Sequence, residues 1–452
     1  MSAWTRHHMR GETVCQAHRA RRARRERRAH RAPVAFLVCA CLLAGAPPAD
    51  AVELWSDASG ERSVSLTTSL KWTSVLSHAS GDTIFFPEEW SAASLWRFRA
   101  VVDARPTTWL AAQVAYEQRA RTVSEGAGAA GGVGLLPKEL PAPYRVRQVD
   151  DPLVEVGSTF SYRHELDRAA VSLSLSRADV KVGRQAVGWG RGLVFGAVDI
   201  FAPFSPLESD REWRRGVDAV RVRVPVTNLI SADVVAAFGE SMEESAFVGR
   251  VHGYVGDVDG ELFAGSRCED GFYGASLSFP VLDAELHGEA AVFVSPQPLP
   301  AGGSFGSDDV ALKTVVGGSR TFDLAGGLML VAEYHYSGFG FPDIEEASDY
   351  FEDEGFLERY VRGDSQILGR HACAVQLSYG FAGVTPLSVT WLTSPVDGSG
   401  VIFPAVVWVF SDSVTLTASA YVSHGAPPVG TKIRSEYGGT PTSGLIQISF
   451  YY

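Results

Sequence analysis

Along most of the chain, apolar and polar residues alternate with a period of two, and a helical period is almost nowhere present. Val64, Leu66, Leu70, Trp72 and Leu76 alternate with Ser65, Thr67, Ser69, Lys71 and Thr73. Ala284, Leu286, Ala290, Val292 and Val294 alternate with Glu285, His287 and Glu289. Leu328, Leu330, Ala332, Tyr334 and Tyr336 do the same against Glu333 and His335. Successive side chains of a strand point to opposite faces, so each run sets one apolar face against one polar or charged face.

The connections carry further information, because short and long ones take turns. Tight turns are expected near 105–107, 176–179, 226–229, 256–259, 280–283, 321–325, 380–383 and 410–413. Between them lie connections near 78–91, 120–164, 189–214, 239–245, 268–270, 295–309, 337–366, 394–400 and 424–442, several of them long. Eight turns and nine loops join eighteen strands. Short turns on one rim and longer loops on the other are the pattern of bacterial outer-membrane barrels, and a sandwich or propeller does not segregate its loops in this way. The chain ends on Ile446, Ile448, Phe450 and Tyr452 alternating with Gln447, Ser449 and Tyr451, an aromatic last strand of the kind that barrel-assembly machinery reads. Trp96, Tyr336, Trp391 and Trp408 fall near strand ends on the apolar face and suit interfacial girdles. The expected fold is all-β: a single transmembrane antiparallel barrel of about eighteen strands.

The first fifty residues follow a different rule. Arginines crowd Arg19 to Arg31, an apolar run from Val34 to Ala46 follows, and Ala49-Asp50-Ala51 is an A-x-A site. This order predicts a signal peptide over 1–51, cleaved after Ala51, with a barrel over 52–452 and Met9 an alternative start. The apolar run is too short to span a bilayer. The 452 residues carry 40 basic and 52 acidic side chains; without residues 1–51, 30 and 49 remain, a net charge of −19 that disfavours nucleic acid as a partner. Only Cys268 and Cys373 lie beyond the signal segment, no metal-ligand spacing occurs, and no cofactor is implied. Their strands are not neighbours, which argues against a disulfide.

One segment carries a family likeness. Val182-Gly183-Arg184-Gln185, Trp189-Gly190, Asp199-Ile200-Phe201-Ala202-Pro203 and Arg214-Arg215-Gly216-Val217-Asp218 occur in this order within about forty residues. The segment resembles the alginate-export-like and related substrate-selective outer-membrane porins of Gram-negative bacteria. The resemblance implies an eighteen-stranded pore with a loop folded into its lumen, and 189–214 is the third long loop here. Independently of the family, a loop with Phe195, Phe201, Phe204 and Trp213 is too apolar to hang in water and should pack against the wall. Lying over the mouth is the alternative.

With the apolar faces turned to lipid, Arg97, Arg99, Arg119, Arg221 and Arg223 point into the lumen from early strands, and Glu285, His287, Glu289, Glu333 and His335 from later ones. A transverse field across the pore is one reading; charges that pair locally and solvate the interior are the other. Arg191, Asp199, Phe201, Arg214 and Arg215 are candidates for the constriction. Arg184 shares parity with Val180 and Val182, so it reaches the lumen only if Gly183 forms a bulge. Residues 145–164 are partly strand-like and suggest a hairpin above the membrane.

The expected function is passage of a small polar or anionic solute through a hydrated lumen in the bacterial outer membrane, with lipid, lipopolysaccharide and the assembly machinery as partners. A surface adhesin or structural barrel whose long loops bind a partner is the alternative. Gly302-Gly303-Ser304-Phe305-Gly306 matches G-x-S-x-G but lacks the strand-to-helix context of a nucleophile elbow, so no enzyme is expected. The acidic residues of 343–358 read as a solvated loop rather than a calcium site, because no EF-hand spacing is present.

Overall fold

The computed structural model describes residues 52–79, 88–125, 135–136, 142–147, 152–324, 327–381 and 385–452. The signal segment and the Gly126 to Gly134 stretch lie outside the described residues. The first strands are β1 (Val52–Ser56), β2 (Ser63–His78), β3 (Trp90–Thr107), β4 (Leu110–Val123), β5 (Val154–Val156), β6 (Phe160–Leu175) and β7 (Ala178–Gln185). Then come β8 (Val217–Pro225), β9 (Ile230–Ala237), β10 (Ala246–Val255), β11 (Val258–Arg267), β12 (Asp270–Val281), β13 (Ala284–Val294) and β14 (Val310–Phe322). The last are β15 (Leu328–Ser337), β16 (His371–Phe381), β17 (Thr385–Thr393), β18 (Gly400–Ser411), β19 (Val414–His424) and β20 (Thr442–Tyr451).

Eighteen of these strands close a barrel, each antiparallel to its neighbours, because β20 pairs with β2 from Ser69↔Tyr451 to His78↔Thr442. Closure leaves no sheet edge, the condition for a sheet to stand in hydrocarbon. The two short strands are additions to the wall: β1 pairs with Ser63 to Leu66 of β2, and β5 forms a hairpin on Phe160 to Tyr162 of β6. The outward positions carry large exposed apolar side chains such as Val182, Val251, Leu262, Val316, Trp391 and Ile402, a surface made for lipid. Trp90 and Trp109, exposed at opposite ends of β3, add to the aromatic girdles.

Three local expectations shift. The turn after β3 sits at 108–109, not 105–107; the strand runs through Pro106, whose missing N–H interrupts the ladder between Ala104 and Thr107. Residues 160–164, counted within a loop, belong to β6, while 154–156 make the hairpin. Gly183 is not a bulge: β6 and β7 stay in register through Ala170↔Gly183 and Ala169↔Arg184. Its φ is +110°, and a Cβ there would lie 2.2 Å from the Ala169 carbonyl oxygen, so the position needs glycine. The irregularity lies across the ladder in β6, where Ala115↔Arg168 is followed by Tyr116↔Leu166 and Asp167 is the extra residue.

Two connections on the long-loop rim fold inward. One is 186–216, between β7 and β8. The other, 338–370, contains a 3-10 turn (Ile344–Tyr350) and the helix α1 (Glu354–Arg362). The acidic residues there include two caps: Asp343 accepts the Glu345 N–H and Asp353 the Phe356 N–H. Among the described residues no cluster of His, Cys, Asp and Glu could hold a metal, and no helix is long and apolar enough to cross a membrane. Cys268 and Cys373 are both free.

Candidate functional site

The basic side of the lumen is built by register. Lys71, Arg97, Arg119 and Arg163 are successive cross-strand partners on β2, β3, β4 and β6, a row of four cations pointing inward. The adjacent row is Ser69, Arg99, Glu117 and Glu165. Like charges directly opposite repel, and the carboxylates of the second row relieve this diagonally. Arg97 lies 2.8 Å and Arg119 3.4 Å from Glu117, and Arg119 and Arg145 both pair with Glu165. The β6 irregularity adds Asp167, 2.7 Å from both Arg99 and Arg168, and it accepts the Gly216 N–H at 2.9 Å.

The inward loop supplies the rest. Asp210 lies 2.8 Å from Lys71 and 3.5 Å from Arg97, and Glu212 lies 2.6 Å from Lys71. The Trp213 ring lies under three cations: Lys71 at 4.0 Å, Arg97 at 4.8 Å and Arg99 at 5.1 Å. Tyr451 of the last strand donates to Glu212 at 2.8 Å. Burial opposes ionisation of Asp210, but Lys71 and Arg97 outweigh it, so its carboxyl titrates below the usual range. Asp199 shows the reverse: burial dominates even though Arg214 pairs with it, and its carboxyl is pushed up.

On the other side of the lumen, Glu289 of β13 and Glu333 of β15 are buried beneath the same loop. Glu289 accepts the backbone N–H groups of Arg191, Gly192, Ala197 and Val198. Glu333 accepts those of Leu193, Val194 and Phe195, and His287 lies 3.1 Å from one of its oxygens. Gln366, from the 338–370 loop, accepts the N–H of Gly196 at 2.9 Å and donates to Phe204 O at 3.1 Å. Eight consecutive backbone donors, residues 191 to 198, are thus held by three side chains. Ionised carboxylates are the strongest acceptors for such donors, and buried N–H groups without partners are costly. The turn inside the clamp requires Gly192, since a Cβ there would fall 1.9 Å from Phe195 O.

The candidate residues therefore divide. Arg97, Arg99 and Arg119 stand together on the basic side, with Arg215 3.9 Å from Glu165. Arg221 is apart from them, tied to Asp233, which Arg250 also approaches at 3.0 Å. Arg223 and Glu285 are exposed near the short-turn rim. Arg184 is not in the lumen: it lies opposite Asp218, on the outward parity of Val220, Val222 and Val224, and its guanidinium forks onto Asp218 at 2.7 and 2.9 Å. Arg191 donates its backbone N–H to the clamp and reaches Asp259 at 2.7 Å. Phe201 is fully buried, edge-on to Trp189 at 4.9 Å and to Tyr144 at 5.8 Å, so it packs the loop and does not face the pore. Arg214 pairs with Asp199 and donates to Ala202 O. Glu289 and Glu333 are loop anchors, not an open acidic wall. Ser304 is buried; its hydroxyl accepts the Leu312 N–H and meets the Tyr336 hydroxyl at 3.3 Å, a structural role within its loop.

Sequence reasoning missed Glu117, Glu165, Asp167 and Asp210, and read Trp213 only as a residue that packs the loop. Glu117 had a signal, standing two residues before Arg119 on the same face.

The closed eighteen-strand barrel is similar in fold to several solved structures. The fold is that of outer-membrane porins. The chain is similar to the OccAB4 structure of Acinetobacter baumannii at a TM-score of 0.51 and 10% identity, over 86% of this chain and 98% of that one. For OccAB1 of the same organism the values are 0.51, 9%, 86% and 96%. For OccK9 (OpdG) of Pseudomonas aeruginosa they are 0.50, 11%, 86% and 98%. At these identities the likeness is one of porin fold, and it does not carry the alginate-export-like name. No protein-family model matches the sequence, and no curated protein does.

Proposed function

We propose that the protein is an outer-membrane channel that passes small polar or anionic solutes by diffusion through a lumen narrowed by the 186–216 loop. The observation that carries this reading is the asymmetry of the narrowed lumen. The loop is pinned to β13 and β15, and on the basic side it borders a pocket lined by Arg97, Arg119, Arg215 and Arg362 together with Glu117, Glu165, Asp167 and Glu208. Its volume of about 60 Å³ holds only a few waters. A cationic surface in a low-dielectric channel concentrates anions at the point of passage. The excess lies in the wider cluster, where Lys71, Arg97, Arg99, Arg119, Arg145, Arg163, Arg168 and Arg215 stand against Glu117, Glu165, Asp167, Glu208, Asp210 and Glu212, acids that keep the arginines extended and ordered.

The finer reading, a relative of the alginate-export-like porins, is supported by the motifs at 182–185, 189–190, 199–203 and 214–218. Contact with lipopolysaccharide at the long-loop rim and delivery by the assembly machinery through β20 belong to the same proposal.

The test is single-channel recording in a planar bilayer under a salt gradient. Stepwise openings with a reversal potential on the anion-selective side are expected. A folded barrel that stays silent overturns the channel reading, and openings without anion preference overturn the role given to the basic side.

A further inference from the structure

A second cavity lies at the long-loop end, outside the basic pocket and separated from it by the 202–207 segment and α1. Its volume is about 310 Å³. Three connections enclose it: 205–207 of the inward loop, 351–368, and 428–440 of the last loop. Leu207, Phe351, Phe356, Tyr360 and Ile433 give it an apolar and aromatic wall. Engineered cavities of about 150 Å³ already admit a benzene ring, so this one has room for a ring with a short chain.

Its polar groups are few and point to one kind of ligand. Glu436 accepts the Leu368 N–H at 2.9 Å and the Gly369 N–H at 2.6 Å. An ionised carboxylate has about four acceptor sites, so two remain after these bonds. Among the described residues that line the cavity there is no lysine, arginine or histidine. Asp397, accepting the Glu436 backbone N–H at 2.7 Å, adds negative charge beside it. A carboxylate with two acceptor sites left and no cation in the lining, beside aromatic side chains, makes a site for an ammonium group, which brings three donors and a positive charge.

We propose that this cavity binds a small protonated amine carried on an aromatic or branched apolar body, with the ammonium on Glu436. The proposal rests on the mouth alone and is independent of solute passage.

The test uses the protein extracted from cell envelopes and reconstituted in lipid nanodiscs, which keeps detergent out of the cavity. Phenethylamine, 2-phenylethanol and 3-phenylpropionate are titrated calorimetrically at pH 8. Burial, opposed by the two backbone bonds, holds the Glu436 carboxyl at about 7, so it is mostly ionised there. Saturable binding of the amine is expected, with the alcohol about tenfold weaker or more, a difference of about 1.4 kcal/mol, and the anion not bound. Glu436→Gln should bring the amine down to the level of the alcohol and leave the alcohol unchanged. Leu207→Trp, which fills the cavity and keeps Glu436, should abolish binding of amine and alcohol together, and it decides the matter if Glu436→Gln does not assemble. Equal affinity for amine and alcohol, or amine binding that survives Leu207→Trp, overturns the proposal. Amine binding by a barrel silent in bilayers would overturn only the channel reading, and an open pore that binds no amine only this one.

Discussion

The two sides of the lumen carry charge in the same sequence pattern, inward-pointing ionised residues at every second position, and use it differently. On β2, β3, β4 and β6 the cations form a cross-strand row and are held by carboxylates of neighbouring strands and of the inward loop. On β13 and β15 the carboxylates meet seven backbone N–H groups of the loop and one histidine. On the basic side Arg97, Arg119 and Arg215 still border a pocket; the acidic side spends its charge on holding a peptide. Glu289 and Glu333 are covered by the chain itself, so the two sides do not face each other as open walls of opposite charge.

The largest effect should come from breaking the clamp. Replacing Glu289 and Glu333 together by alanine leaves the donors of 191–195, 197 and 198 without partners, each costing about 1–3 kcal/mol while it stays buried. The loop should leave the wall, and single-channel conductance should rise severalfold; an unchanged conductance would show that the clamp does not set the constriction. Next in size is charge reversal on the basic side. Arg97→Glu with Arg119→Glu should carry the reversal potential towards cations, and the same change at Arg221 and Arg223 should shift it much less, because Arg221 is already tied to Asp233 away from the loop. Equal shifts from the two pairs would restore the idea of a field spread over all early strands.

A smaller effect is expected at Trp213. Trp213→Ala uncovers Lys71, Arg97 and Arg99 and removes cation–π contacts worth about 0.5–2 kcal/mol each, so anion conductance should rise while the barrel stays folded. The smallest concerns Gly192→Ala. Its Cβ would collide with Phe195 O and distort the clamp without removing an acceptor, so recordings should show a noisier open level with nearly the same mean conductance.

Alternation made the strands and their inward faces legible, because the period of two survives any register. The segregation of short and long connections gave the strand number, and the aromatic content of the third long loop gave its burial. Arg184 was readable only as a parity conflict. Its resolution, with Gly183 at φ +110° and Asp218 opposite, needed the pairing of β7 with β8. Phe201 was legible as a residue that packs but not as one buried away from the pore, and the infolding of 338–370 over the inward loop left no periodic trace.

By itself the sequence determined an antiparallel barrel with an apolar outside, a charged inside and a third loop too apolar for water, because each of these follows from side-chain character at fixed spacing. Only the tertiary structure decided what each inward charge meets. That choice depends on register, which sets Lys71, Arg97, Arg119 and Arg163 in one row, and on the path of the loop, which brings residues 191–198 onto Glu289, Glu333 and Gln366. Backbone N–H groups are the same in every residue, so no spacing of side chains can announce where they will be satisfied.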